Sequence, residues 1–521
     1  MVWEPELEEL KYRHGLAEQM GGPENVERHR QSGKLPIRER IDYLADRGTF
    51  REMAKLEGTG EYDENHKLVK FTPEAEIKGV AKINGRRVYV TGQDFTIRGG
   101  SAGSHYSRGG VDMNHGHPDP MQLKIPTVNL LDGAGGSVTE FSELGRTYVP
   151  DGEFFGNFCW ILNEAPVATA VLGPAAGGLA PIPCLSHFSV MTKGRGQVFP
   201  GGPPVVKAAL GQDIHKEDLG GYKVHTRISG VVDNAAESEE DALDQIKQFL
   251  SYLPDNIHEM PQRGDTGDDP DRRDERLLSL IPRDKRKPYD ARVVIDAVFD
   301  RESFFEIAPD YGTSRITGLA RAHGYPVGVM LNNNRRKGGS MDVDAAEKSA
   351  RLVQLCDTFH IPLVVLMDDP GFMVGPESER RGIERSGSRL VYAIVSSKMP
   401  LISFIMRQSY GLAGSSQYRP GPHLYQRYAW PSGHWGSMHI EGGTAAAFRR
   451  EIEAAPDPDA KRLELEAQFK AIASPFRTAE ASGLDVIDPR DTRSILCDWI
   501  DMAQGVIKNQ LGPSMGQTYR P

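Results

Sequence analysis

Two parts of this chain repeat one plan. In the second copy an apolar run, Ile361-Pro362-Leu363-Val364-Val365-Leu366-Met367, stops at Asp368-Asp369-Pro370-Gly371. A short continuous apolar run ended by turn residues predicts a strand buried on both faces. A helix-compatible segment, Ser378 to Lys398, comes next. A second buried run, Met399 to Met406, then breaks into Arg407-Gln408-Ser409-Tyr410-Gly411-Leu412-Ala413-Gly414. Strand, helix, strand with short links imply parallel strands and a right-handed crossover. Earlier in the chain, Ile125 to Gly136 mirrors Ile361 to Phe372, and Ala165 to Gly178 mirrors Met399 to Gly414. Upstream of both, Ile83 to Val88 ends at Gly99-Gly100-Ser101, and Ala322 to Val327 ends at Gly338-Gly339-Ser340. One match between buried strands could be chance. Three in the same order indicate an internal duplication, and so two related α/β domains. A chain of 521 residues is long enough for two cores. The expected limits are 1–255 for the N-terminal domain, 256–288 for a linker dense in Asp, Arg and Pro, and 289–521 for the C-terminal domain.

The turns that close the second buried runs carry chemical potential. Small residues let a ligand approach the backbone, and free N–H groups at a helix start point outward. Two such donors can hold an oxygen that becomes negative during reaction. Gly and Ala there also permit tight helix–strand packing, and for one isolated turn that simpler reading would stand. Its repetition in both copies favours function.

Other features narrow the class. The net charge of −10 argues against a general nucleic-acid surface. No apolar run is long enough to span a membrane, and the acidic start Met1-Val2-Trp3-Glu4-Pro5-Glu6 lacks a signal peptide's features. A cytoplasmic protein is expected. The four cysteines, Cys159, Cys184, Cys356 and Cys497, form no C-x-x-C pair. His105, His115 and His117 lie in a Gly- and Ser-rich stretch without supporting carboxylates, so a loop is expected and no metal. Residues 1–50 read as helical, with Arg38, Glu39 and Arg40 exposed on a helix from Ile37 to Leu44. Asn84-Gly85 marks a hairpin. There is no P-loop, no Gly-x-Gly-x-x-Gly and no Met-Lys-Met biotinylation site. Gly99-Gly100-Ser101-Ala102-Gly103 matches the nucleophile elbow of serine hydrolases, but its surroundings read as a loop and not as strand-to-helix.

Several segments together carry a resemblance. Gly33 to Ile41, Gln93 to Ala102, Gly173 to Gly178, Asp342 to Ala350, Asp369-Pro370-Gly371-Phe372, Tyr428-Ala429-Trp430-Pro431 and Val486 to Arg493 are similar to the carboxyltransferase subunits of biotin-dependent acyl-CoA carboxylases. The likeness is collinear over nearly the whole chain. That family includes propionyl-CoA and methylcrotonyl-CoA carboxylase β subunits and their transcarboxylase and decarboxylase relatives. The resemblance implies two tandem domains of the ClpP/crotonase superfamily, a head-to-tail dimer, and often three dimers in a hexamer. It implies biotin carried on a partner chain, coenzyme A as part of the substrate, and biotin carboxylase and biotin carboxyl carrier partners. The cofactor then supplies the base, while the protein supplies orientation and electrostatics.

By the same resemblance the catalytic positions are Gly177, Gly178, Gly411, Leu412 and Ala413. Gly99, Gly100, Ser101, Gly135, Gly136, Asp369, Pro370, Gly371, Phe372, Tyr410, Gly414 and Ser415 are the expected substrate- or cofactor-binding positions. One turn would bind the thioester oxygen and the other the biotin ureido oxygen. The family usually has Tyr-Gly-Gly-Ala where this chain has Tyr410-Gly411-Leu412-Ala413. It usually has Ala-Glu-Ile-Ala-Val-Met-Gly where this chain has Ser432-Gly433-His434-Trp435-Gly436-Ser437-Met438. The alternatives are a decarboxylase or transcarboxylase subunit, a serine hydrolase using Ser101, and a non-catalytic scaffold.

Overall fold

The alternating and apolar runs of the first copy pair into one mixed sheet. Its strands are Arg51–Met53 (β1), Glu76–Ile83 (β2), Arg86–Gln93 (β3), Thr127–Gly133 (β4), Val167–Ala176 (β5), Phe188–Thr192 (β6), Gln197–Phe199 (β7) and Asn234–Ala236 (β8). The order is β1-β2-β3-β4-β5-β6-β8, with β7 also on β5. Pairing is antiparallel up to β3 and parallel beyond it. Asn84 and Gly85 both take positive φ, 50° and 81°, as the tight β2–β3 turn demands. The computed structural model describes residues 2–101, 117–136, 145–147, 153–265 and 267–514, in two compact units divided in the chain between Asn256 and Ile257. Residues 102–116, with His105 and His115, and the last seven residues lie outside the described set.

The second unit repeats the sheet. Its strands are Phe305–Ile307 (β9), Arg315–Ala322 (β10), Tyr325–Asn332 (β11), Leu363–Asp369 (β12), Leu401–Tyr410 (β13), Tyr425–Ala429 (β14), His434–Gly436 (β15) and Asp485–Val486 (β16). The order is β9-β10-β11-β12-β13-β14-β16, with β15 on β13. Every residue of β4 and of β12 is buried, as expected for parallel strands covered on both faces. Phe404, Trp430 and Trp499 are completely or almost completely buried in the second core. Each such side chain contributes about 1.5–3 kcal/mol of hydrophobic stabilisation. The predicted helix from Ser378 to Lys398 is two helices, Pro376–Arg380 and Ile383–Ser396. Gly382, at φ 77°, breaks them.

The duplication extends to irregularities. The β4–β5 ladder slips between Leu131 and Gly133, and the β12–β13 ladder slips between Met367 and Asp369. A bulge at a strand end re-aims the chain beyond it. The residue at each slip is a fully buried acid, Asp132 or Asp368. A buried carboxylate is retained only when paired and hydrogen-bonded. The two units meet this need differently. Asp368 receives Arg407 Nη2 at 2.9 Å from β13 itself, with Gln408 and Tyr289 donating at 3.0 Å each. Asp132 receives Lys34 Nζ at 2.8 Å and Arg40 Nη2 at 2.9 Å, both from the N-terminal helical region, and Arg40 also grips Glu239. The expectation that Arg40 is exposed is therefore corrected. It has no exposed surface, because two buried carboxylates require its charge.

Gly173 explains why the first unit takes its cations from elsewhere. It precedes Pro174 on β5, and Arg407 precedes Gln408 at the matching register of β13. A Cβ on Gly173 would lie 1.8 Å from Asp132 Oδ1 and 2.5 Å from Lys34 Nζ. Gly173→Ala is expected to destabilise the first unit by about 1–3 kcal/mol through overpacking. The control is Gly505→Ala, in the helix Thr492–Lys508, where a Cβ meets nothing within 4 Å. It should stabilise by about 0.5–1 kcal/mol. Denaturant midpoints compare the two, and equal behaviour would remove the packing explanation.

The Asp-, Arg- and Pro-rich stretch read as a linker is bonded to the second unit. Gly264 N–H donates to Gly324 O at 2.9 Å, and Arg272 reaches Asp268 and Phe299 O. Arg493, 1% exposed, donates to Asp269 O at 2.8 Å, Val298 O at 3.0 Å and Asp300 Oδ1 at 2.8 Å. Charges that look solvated in sequence supply donors for main-chain carbonyls. Among the described residues no helix is long and apolar enough to cross a membrane.

Candidate active site

In each unit three loops meet at the C-terminal ends of adjacent parallel strands. In the first unit these follow β3, β4 and β5. Ala134 N–H donates to Gly99 O at 2.9 Å, joining the first two loops. A Cβ on Gly100 would fall 2.3 Å from Asp132 O, and one on Gly135 would fall 2.9 Å from Ala176 O. One on Gly177 would come within 3.8 Å of Gly135 Cα. Gly99, Gly100, Gly135 and Gly177 all have positive φ. Close approach and left-handed backbone together require glycine here. The second unit repeats the arrangement with Gly338-Gly339-Ser340, Asp369 to Phe372, and Tyr410 to Ala413. Met341 N–H donates to Gly371 O at 3.0 Å, and Gly371 lies against Tyr410 O.

The turn after each central strand starts a short helix, Gly177–Leu179 or Gly411–Ser415. Gly177 and Gly411 take φ 60° and 58°. Neither turn has a side-chain cap. The first N–H groups of such a turn have no intrahelical partner. Gly177 and Gly178 are exposed, Gly411 is partly exposed, and Leu412 is 51% exposed. The pairs Gly177-Gly178 and Gly411-Leu412 occupy the same positions in the duplicated plan. Adjacent N–H groups at the start of a helical turn are the kind of arrangement that can stabilise developing negative charge.

Other predicted site residues have supporting places. Ala413, expected to supply a donor, has no exposed surface. Its carbonyl accepts from Gln417 Nε2 at 3.1 Å. Gly414 is buried against Ser409, where a Cβ would lie 2.7 Å from Oγ. Ser415 is exposed and its hydroxyl donates back to Leu412 O at 3.0 Å. The Phe372 ring covers Gly387, where a Cβ would be 2.6 Å from Cζ. Asp369 is fully buried. Its carboxylate accepts from Arg315 at 2.6 Å, Gln417 at 2.6 Å and Gly371 N–H at 2.9 Å, so it orders the loop from below. Pro370, Gly371 and Gly136 remain on the surface of their loops. Ser101 is 6% exposed and follows a 3₁₀ turn, Arg98–Gly100, which is not the strand-to-helix context of a nucleophile elbow.

Sequence reasoning missed Arg315, Gln417 and His439, and met His434 only as part of the run that departs from the family. Gln417 could have been suspected, since it stands four residues beyond Ala413 on a helical turn. The other three are brought in by strands and loops with no local signal. His434 is 9% exposed, and neither ring nitrogen has a hydrogen-bond partner among the described residues. Burial, with the charge of Lys285, pushes its pKa down to about 4, so the ring is neutral. Burial also pushes Tyr410 up to about 12. Among the described residues no group of three or more His, Cys, Asp or Glu is placed to hold a metal.

Comparisons with known proteins identify the family and the fold. Residues 28–506 match the carboxyl transferase domain. The chain is 35% identical over 515 residues to the propionyl-CoA carboxylase, carboxyltransferase subunit, of Haloferax mediterranei, covering 98% of each. It is 34% identical over 498 residues to methylmalonyl-CoA decarboxylase subunit alpha of Veillonella parvula, covering 94% of each. Its fold matches the crystal structure of transcarboxylase 12S, described as a hexamer assembly with methylmalonyl-coenzyme A and methylmalonic acid bound. The TM-score is 0.86 and the identity 31%, over 99% of this chain and 98% of that one.

Proposed function

This chain belongs to the carboxyl transferase domain family, and from that premise we propose that it moves a carboxyl group between biotin on a partner chain and the α carbon of an acyl-CoA. A vinylogous γ carbon is equally compatible with the turns. The two uncapped turns, Gly177-Gly178 and Gly411-Leu412, carry this reading. Each presents N–H donors to an oxygen, and each closes a central strand of one crotonase-like unit. When bound, biotin carries the carboxyl group and accepts the α proton in exchange. The donor pairs fit its ureido oxygen as well as a thioester oxygen, because both are uncharged acceptors in the ground state and gain negative charge during reaction. The residues of this chain bind, orient and polarise. At one turn the N–H groups stabilise the thioester oxygen as the α proton leaves. Carboxylase, decarboxylase and carboxyltransferase relatives share this step, so the step is proposed and the direction of net flux is left to the partners. The chain works in a hexamer, with a biotin carboxyl carrier and, for carboxylation, a biotin carboxylase.

The isolated chain should form no product from propionyl-CoA, bicarbonate and ATP. Adding a biotin carboxylase and a biotinylated carrier should restore carboxylation. The isolated chain should still convert methylmalonyl-CoA to propionyl-CoA when biotin is supplied. ATP-dependent carboxylation by the chain without partners would sink this reading. So would the absence of biotin-dependent transfer from every carboxylated acyl-CoA tried, α- and γ-carboxylated alike.

A further inference from the structure

The segment after Trp430-Pro431 runs alongside β13 in the same direction. His434 pairs with Gln408, Trp435 with Ser409 and Gly436 with Tyr410. This path brings two imidazoles to one phenol. The His434 ring stands edge-on to the Tyr410 ring, with centroids 5.7 Å apart and planes at 90°. The His439 ring is 4.0 Å away, tilted 36°. Tyr410 is the N-cap residue of the Gly411–Ser415 turn, and its side chain is buried.

His439 makes a second contact. Its Nε2 lies 2.8 Å from the carbonyl oxygen of Pro370. A carbonyl can only accept, so Nε2 carries the proton and donates. Pro370 belongs to the loop that leaves β12, and the next residue, Gly371, lies against Tyr410 O. One side chain therefore joins the ring that starts the donor turn to the loop that faces it. Among the described residues the first unit has no such link. Ala176 stands where Tyr410 stands, and Gln197, in the register of His434, donates to Glu217. His439 stands directly after Ser432 to Met438, the segment where this sequence departs from the usual family run.

We infer that His439 is a positioning residue for carboxyl transfer. By holding the Pro370 carbonyl and the Tyr410 ring together, it sets the spacing between the Asp369–Phe372 loop and the Gly411 and Leu412 donors. This rests on the reading of that turn given above. Displacing a bound group by about 1 Å can cost roughly 10²-fold in rate; Gly371 keeps its bonds to Asp369 and Met341, so the motion released is that of the Pro370 peptide.

The test compares His439→Gln with His439→Met in the full-length protein. Gln and Met are similar in length, both lack the ring, and only Gln can donate to Pro370 O. Hydrogen exchange without ligands reads the latch itself. Segments 369–373 and 410–413 should exchange at least about tenfold faster in His439→Met than in His439→Gln, with melting temperatures matched. Kinetics with methylmalonyl-CoA and biotin then read its use. His439→Met should lose about 10²-fold in kcat/KM, with KM raised for only one of the two substrates, and His439→Gln should recover most of the loss. Equal exchange in the two variants overturns the latch, whatever the activity. Unequal exchange with equal kinetics overturns its positioning role. If the wild-type protein itself shows no biotin-dependent transfer, the reading of the turn fails and not the latch.

Discussion

Leu412→Pro is expected to fold to the native assembly and to transfer carboxyl about 10²–10³ times more slowly than wild type, the typical loss for one oxyanion donor. Leu412 is the second residue of the Gly411–Ser415 helix, with Tyr410 as N-cap. Proline is tolerated in a first helical turn, since the N–H it lacks has no intrahelical partner there. The residue before a proline avoids the right-handed helical region, and Gly411 is already outside it at φ 58°. The Leu412 carbonyl keeps its bond from Ser416 N–H at 2.7 Å. Leu412→Gly is the control. It removes the same side chain, keeps the N–H, and reproduces Gly178 at the matching position of the first unit. It should turn over within about tenfold of wild type, well inside the loss expected for a missing donor. Circular dichroism and sizing establish that Leu412→Pro is native. A native Leu412→Pro with wild-type kcat would show that this amide donates to nothing in the transition state.

Asp369→Asn is expected to cost about 3–5 kcal/mol of stability and to abolish most activity. Asp369 and Arg315 are both essentially without exposed surface and are joined at 2.6 Å. Removing one partner of a buried ion pair leaves the other charge uncompensated, and that orphaned charge is the source of the cost. An amide has one acceptor oxygen where the carboxylate uses two. It cannot serve Arg315, Gln417 and the Gly371 N–H together. Gln417 in turn supports the Ala413 carbonyl beneath the donor turn. The double variant Arg315→Met with Asp369→Asn separates the two consequences. With no orphaned guanidinium it should regain much of the stability, because apolar replacement of a buried pair is often neutral. Activity should stay low, because the loop and the turn remain uncoupled. Chemical denaturation and transfer assays on both proteins check this. A single variant within about 0.5 kcal/mol of wild type, the range of an ordinary surface substitution, would contradict the account.

Much of this was legible in one dimension. The apolar runs ending at Gly133 and Asp369 had to be buried parallel strands, since no other short element accepts continuous apolar sequence on both faces. Repetition of strand, helix, strand and glycine turn specified two units. It also located Gly177-Gly178 and Gly411-Leu412, because close approach and left-handed backbone select glycine through local sterics, which a sequence records directly.

Tertiary structure alone decided which neighbours of those turns face a ligand and which support them. Asp369 and Phe372 flank Pro370 and Gly371 in sequence, yet Asp369 is fully buried and the Phe372 ring lies over Gly387, and Ala413 is covered completely. A strand end gives no sign of which of its side chains an approaching arginine or helix will claim. The same holds for charge. Arg40 sits on an outwardly amphipathic helix and reads as solvated, but Asp132 and Glu239, distant in sequence, draw it into the interior. His439 becomes a link only because β15 runs alongside β13 and delivers the residues after it to Tyr410. Local backbone demands and burial are properties of short segments, so the sequence alone determined the duplicated sheet and its two glycine turns. Partnerships between buried polar groups depend on which distant segments share space, so only the fold could assign them.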